Sequence, residues 1–272
     1  MMGKRVIVFQ QLFTIIVVGA FAFILGAVRA WAGPPFVTDD PEPVELHHWE
    51  VYIASQYVHD DSGVAATAPH FEVNYGALPD TQLHLIVPLV YSSPNEGSKQ
   101  YGLGDIELGV KYRFIHEGDL LPQIGTFPIV VTSTGSKSRG LGEGRVKVFI
   151  PVWLQKSWGP WTTYGGGGYW FNKTGDNKNY WQTGWEIQRR MSEAITLGAE
   201  IFNMSPSAKG ESDRTGFNIG AIVNFSEEHH LLLSAGRDIR GPNNLTTYIA
   251  YQWTFGPEEK KEKETRLRAA YP

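Results

Sequence analysis

Tyr101-Gly-Leu-Gly-Asp-Ile-Glu-Leu-Gly-Val-Lys-Tyr-Arg-Phe114 sets a pattern that the rest of the chain repeats. From Asp105 on it alternates without a fault. Ile106, Leu108, Val110, Tyr112 and Phe114 fall on one face, and Asp105, Glu107, Gly109, Lys111 and Arg113 on the other. A strand sends successive side chains to opposite faces, so this period makes one apolar and one polar face. The polar face carries full charges of both signs and the apolar face ends in aromatics. Over roughly ten residues that is the pattern of one transmembrane barrel strand, lipid outside and polar lumen inside.

The pattern recurs over 46–58, 70–77, 82–91, 122–132, 145–156, 161–171, 181–190, 194–203, 217–225, 230–238 and 245–255. With the opening stretch this predicts an all-β chain: a closed antiparallel transmembrane β-barrel of about twelve strands, an even number as such barrels require. The 122–132 stretch is apolar on both faces, so its lumen side stays open. The links between strands alternate in length. The longer ones are 59–69, 92–104, 133–144, 172–179, 203–216 and 239–244; the shorter are 76–80, 116–121, 157–160, 190–193 and 226–229. Short periplasmic turns and longer outer loops are the rule for these barrels, which places both ends of the barrel on the periplasmic side.

The domain reading follows. Lys4 and Arg5, then an apolar run and Ala30-Trp31-Ala32, predict a cleaved signal peptide over 1–32. Residues 33–45, Gly-Pro-Pro-Phe-Val-Thr-Asp-Asp-Pro-Glu-Pro-Val-Glu, cannot form a regular element because their prolines remove backbone donors. They are expected as an extended N-terminal periplasmic segment. The barrel spans 46–255, and 256–272 reads as a charged periplasmic tail. The alternation Tyr251-x-Trp253-x-Phe255 looks like the terminal signal for the barrel assembly machinery.

Composition agrees. There is no cysteine, aromatics make up 13% and charged residues only 19%. The formal charge is −4, and loss of Lys4, Arg5 and Arg29 with the leader takes the mature chain to −7. That disfavours nucleic acid, which needs a basic face. The expected partners are outer-membrane lipid, the assembly machinery and a small-molecule solute.

Enzyme chemistry finds no foothold. Neither a Gly-x-Ser-x-Gly nor a His-Glu-x-x-His motif is present, so no catalytic residue, metal site or cofactor is assigned. His47, His48, His116, His229 and His230 map near the periplasmic rim, where solvated interface residues are expected rather than metal ligands. Asp39, Asp40 and Glu42 lack calcium-loop spacing and read as turn and cap residues. Gly165–Gly168 lacks the Lys-Ser/Thr of a phosphate loop. It is expected to let its strand bend or to make room for Trp153.

The candidate site is therefore the lumen itself. Alternation points Glu50, Tyr52, Glu72, His84, Asp105, Glu107, Lys111, Arg113, Arg145, Lys147, Trp153, Glu186 and Glu200 inward as a solute pathway. Asp105 and Glu107 lie near the outer end of one strand, Arg145 and Lys147 near the outer end of the strand two along. Strands are about 4.8 Å apart, so long side chains can close the gap, and a charge cluster is expected across the upper lumen. Twelve strands should leave a narrow or plugged path, between the side-chain-filled eight and the open sixteen.

Several pieces together resemble an outer-membrane transporter family named for the meta-pathway of phenol degradation. They are the 33–45 segment, 102–114, Thr134-Gly135, and Trp161-Thr-Thr-Tyr-Gly-Gly-Gly-Gly-Tyr-Trp170. The resemblance implies an outer-membrane barrel in bacteria passing small hydrophobic or aromatic compounds; it supplies no site residues. The alternative is a non-transporting structural or surface-interaction barrel with a sealed lumen.

Overall fold

The structure, a computed structural model, describes residues 35–257. The expected signal peptide, and the tail beyond residue 257, lie outside the described residues. Twelve barrel strands follow one another: β1 (Trp49–Asp60), β2 (Gly63–Leu78), β3 (Thr81–Pro94), β4 (Gln100–Leu103 and Glu107–Ile115), β5 (Gln123–Thr126 and Ile129–Val131), β6 (Lys147–Trp158), β7 (Trp161–Phe171), β8 (Tyr180–Arg190), β9 (Ile195–Met204), β10 (Arg214–Asn224), β11 (His229–Arg240) and β12 (Leu245–Phe255). Every strand pairs antiparallel with its neighbour in sequence. β1 closes on β12 from Trp49 opposite Phe255 to His59 opposite Leu245. Closure leaves no unpaired edge, the condition for a sheet to cross lipid.

The wall is inverted relative to a soluble protein. Along β8, Trp185 is 53% exposed, Glu186 0% and Ile187 48%. The same alternation puts Ile53, Phe71, Leu108, Ile150, Ile201, Ile219 and Ile249 on the outer surface. Such a surface is stable only against hydrocarbon, where exposing it carries no hydration cost.

Two departures from the sequence reading concern β4 and the first outer link. The opening stretch is interrupted: Gly104, Asp105 and Ile106 leave the strand, because Pro88 of β3 has no N–H to offer opposite them. The 59–69 link is no long loop; β1 and β2 run outward until Asp60 turns the chain by capping the Ser62 and Gly63 amides. The ambiguous fifth strand is broken at Phe127–Pro128 and turns Phe127, Ile129 and Val131 inward. They join Phe149, Trp153, Trp170 and Tyr180 in a cluster inside the barrel. Phe149, Trp170 and Tyr180 stack face to face, with ring centroids 4.7 and 5.8 Å apart. The glycine run does make room for Trp153: a Cβ on Gly166 (φ 144°) would lie 3.2 Å from that ring and 2.2 Å from the Val152 carbonyl.

Candidate functional site

The largest correction concerns residues 35–45. The sequence suggests an extended periplasmic lead-in; instead the segment rises inside the lumen and crosses it as a plug. Phe36, Val37, Thr38 and Asp39 are each at most 5% exposed. Having no regular element, the segment must find partners for its backbone elsewhere, and lumen side chains supply them. Glu200 on β9 accepts from the Val37 amide (2.8 Å), the Thr38 amide (2.8 Å) and Thr38 Oγ1 (2.7 Å), and from Asn218 of β10. Ser234 Oγ donates to the Pro35 carbonyl, and Gln82 Oε1 accepts from the Val44 amide. On the opposite wall Lys111 Nζ lies 2.9 Å from Asp39 and 3.4 Å from Asp40. Arg113 reaches Glu42 at 3.7 Å. Two glycines let the segment sit flush: a Cβ on Gly184 would lie 2.1 Å from Thr38 Oγ1, and one on Gly198 2.8 Å from the Phe36 ring.

All thirteen side chains singled out from the sequence lie on the lumen side. They do not form one site. Tyr52 donates to Glu50 at 2.9 Å. His84 sits between Asn74 Oδ1 at 2.6 Å and Glu107 at 3.1 Å, while Asn74 donates to Glu72 at 2.8 Å. Glu186 is fully buried beside Gly198 and the plug residue Phe36. Trp153 belongs to the aromatic cluster.

The expected cluster joining Asp105 and Glu107 to Arg145 and Lys147 is not made. The link between β5 and β6 folds into the barrel mouth and intervenes. Its Glu143 pairs with both Arg145 and Lys147. Asp105 instead accepts from the Gly135 and Glu143 amides (2.8 and 2.7 Å), pinning that loop to β4, and Glu107 is occupied with His84. Sequence reasoning missed Glu143 because it sits in a loop, where alternation assigns no face. The segment's Asp39 escaped for the same reason.

Between the plug below and the inward loop above lies a small cavity, partly open to solvent. Ile86, Pro88, Val90, Val131 and Leu141 give it an apolar part, and Glu72, Asp105, Glu143 and Lys147 are among its polar lining. Among the described residues no three His, Asp or Glu side chains converge as a metal site. The rim histidines each take a separate partner: His47 the Tyr75 hydroxyl, His116 Asp80, His229 the Tyr251 hydroxyl.

No family model matches this chain. No curated protein matches it in sequence either. Solved structures do. An outer-membrane channel from Pseudomonas putida F1 superposes with a TM-score of 0.66 at 17% identity, covering 79% of this chain and 98% of that one. The NanC porin gives 0.57 at 8% identity, over 75% and 98% of the two chains. The translocator domain of the autotransporter NalP from Neisseria meningitidis gives 0.55 at 13%, over 76% and 88%. At these identities the likeness is one of fold. It agrees with the apolar outer wall, the closed ladder and the polar interior: the chain is a closed twelve-stranded antiparallel β-barrel of the bacterial outer-membrane kind.

Proposed function

We propose that this barrel is an outer-membrane channel that admits a small, largely apolar or aromatic solute from outside. The reading rests above all on the cavity. A space partly lined by apolar side chains and floored by Pro35, Phe36 and Val37 of the N-terminal segment suits a solute that would gain by leaving water. The motif resemblance points to the same class of compound. The lumen below is crossed by the plug and by buried charge pairs, so a wide aqueous pore for hydrophilic solutes is disfavoured. The alternation ending at Phe255 suits recognition by the barrel assembly machinery, and the tail that follows is assigned to the periplasm. The same plug, fastened to two opposite walls, favours the second reading, a non-transporting barrel with a sealed lumen.

The two separate in one experiment. Cells expressing the protein, and matched cells without it, are given a radiolabelled monocyclic aromatic hydrocarbon. Faster uptake in the expressing cells supports the channel. Equal uptake, with no single-channel current from purified protein in a planar bilayer, supports the sealed barrel and removes the first reading.

A further inference from the structure

Three consecutive seams of the wall carry a proline where the ladder needs a donor. Opposite residues in an antiparallel pair exchange two hydrogen bonds at alternate positions. At the β3–β4 seam Gly104 donates to the Pro88 carbonyl, and Pro88 has nothing to return. At β4–β5 Val110 donates to the Pro128 carbonyl, again without a return bond. At β5–β6 the Pro151 carbonyl is met by a side chain, Thr126 Oγ1, at 2.6 Å.

The first of these seams is interrupted in mid-strand. Ladder pairing runs from Ser92–Gln100 to Leu89–Leu103 and resumes at Ile86–Glu107; Asp105 and Ile106 pair with no residue of β3. What holds that stretch comes from the far side. Thr134 Oγ1 donates to the Gly104 carbonyl (2.8 Å) and accepts from the Ile106 amide (2.9 Å), and Thr132 donates to the Ile106 carbonyl. The inward loop thus staples β4 to β5 beside the gap in the β3–β4 ladder.

The cavity lies against this seam. Ile86, Pro88, Val90 and Asp105 are part of its lining, and Leu141 of the loop rests on Val90's neighbour Gly104. On the other side of the same backbone, Leu89 and Leu103 face lipid, Leu103 42% exposed. Downward, a solute meets the segment clasped by Glu200 and Lys111 and a lumen of carboxylates, where an apolar body gains nothing. Sideways, past an Asp105 already occupied by the Gly135 and Glu143 amides, it meets Ile86, Pro88 and Val90 and then hydrocarbon.

We propose that the β3–β4 seam between Pro88 and Gly104–Ile106 is a lateral exit through which an apolar solute passes from the cavity into the membrane, so that transport does not require the plug to leave. The proposal rests on the channel reading above and adds the route to it.

The chain has no cysteine, so the seam can be locked cleanly. Because Gly104 and Pro88 form the hydrogen-bonded pair, Leu89 and Leu103 next to it form the close, non-bonded pair that a disulfide fits. Leu233 and Ile249 hold the same relation at β11–β12, next but several positions along from the Asp238–Asn244 bond. The L89C/L103C and L233C/I249C chains are compared with the parent for uptake of radiolabelled naphthalene by intact cells, oxidised and reduced. The exit predicts a several-fold loss of uptake in oxidised L89C/L103C, restored by reductant, with single-channel ion conductance unchanged and no loss in the control pair. Uptake insensitive to the first lock, or equally lowered by both, overturns it. No uptake by the parent above empty cells removes the channel reading and the exit with it. Should the disulfide not form, Pro88→Ala supplies the missing donor: slower uptake supports the exit, unchanged uptake overturns it.

Discussion

The β3–β6 wall and the β8–β12 wall obey the same rule of apolar outside and polar inside, yet they hold their backbones differently. From β8 to β10 each register runs unbroken, Gln182–Met204 to Arg190–Thr196 and Ile195–Val223 to Met204–Arg214. From β3 to β6 the strands break at Gly104–Ile106 and at Phe127–Pro128, and side chains of Thr126, Thr132 and Thr134 substitute for missing ladder bonds. The plug touches both walls by different means. It offers backbone amides to a carboxylate on the continuous wall and carboxylates to a lysine on the broken one. Composition alone does not make a wall uniform; the ladder decides where it is stiff.

The largest effect is expected when the plug is cut from each wall in turn. Lys111→Met leaves Asp39, nearly fully buried, without its counter-charge, an expected cost of about 3–5 kcal/mol. Glu200→Gln keeps the shape and some of the bonds and should cost less. Single-channel conductance should therefore rise more in Lys111→Met than in Glu200→Gln. Conductance unchanged from the parent in both would mean that neither tether holds the plug.

The second test concerns packing inside the broken wall. Phe149→Ala removes a fully buried ring stacked on Trp170, an expected loss of about 3–5 kcal/mol. Ile187→Ala on the lipid face of the continuous wall leaves a gap that hydrocarbon refills, and should lower stability far less. Urea unfolding followed by the gel mobility of folded and unfolded barrel reads both. Similar losses would contradict the assignment of inner and outer faces.

A smaller effect is expected at Gly184. Adding a methyl there puts a carbon 2.1 Å from Thr38 Oγ1, so Gly184→Ala should push the plug from the continuous wall at a cost of about 1–3 kcal/mol. The same change at Gly118, which has nothing within 4 Å, should leave conductance alone. A closed channel in Gly184→Ala would show that the plug slides rather than leaves.

The smallest effect belongs to the periplasmic turn before β3. Arg113 donates two hydrogen bonds to Asp80 and, with His116 beside it, holds that carboxyl below the usual carboxylate range. A depressed value means the stabilisation is fully present above the ordinary carboxylate pKa and is lost as pH falls through the lowered one. For a pair this near solvent the contribution is about 0.2–1 kcal/mol. Asp80→Asn should remove that part of the acid dependence and nothing at neutral pH beyond it, read as unfolding midpoints across the acid range.

Much of the molecule was legible because period two is a local property. Ile106 and Glu107 disclose their faces from their immediate neighbours, and the same logic, strand by strand, gave the closed barrel and the inward side of all thirteen candidate residues. The partners of those residues were not legible. Asp105 and Arg145 were matched by strand spacing, but a loop carrying Glu143 fills the space between them, and nothing in a loop's sequence says which way it folds.

The alternation and the strand count, and hence a barrel with a polar interior, could be read from the residues alone, whereas the expected long first link proved to be a tight turn at Asp60. What occupies that interior depends on contacts between distant parts of the chain. Residues 35–45 have no period and no regular hydrogen bonds of their own, and their partners lie far along the chain, Glu200 163 residues from Val37 and Lys111 72 from Asp39. A segment whose prolines forbid it a ladder must satisfy its amides wherever donors and acceptors are buried together, and that place exists only once the twelve strands have closed around it.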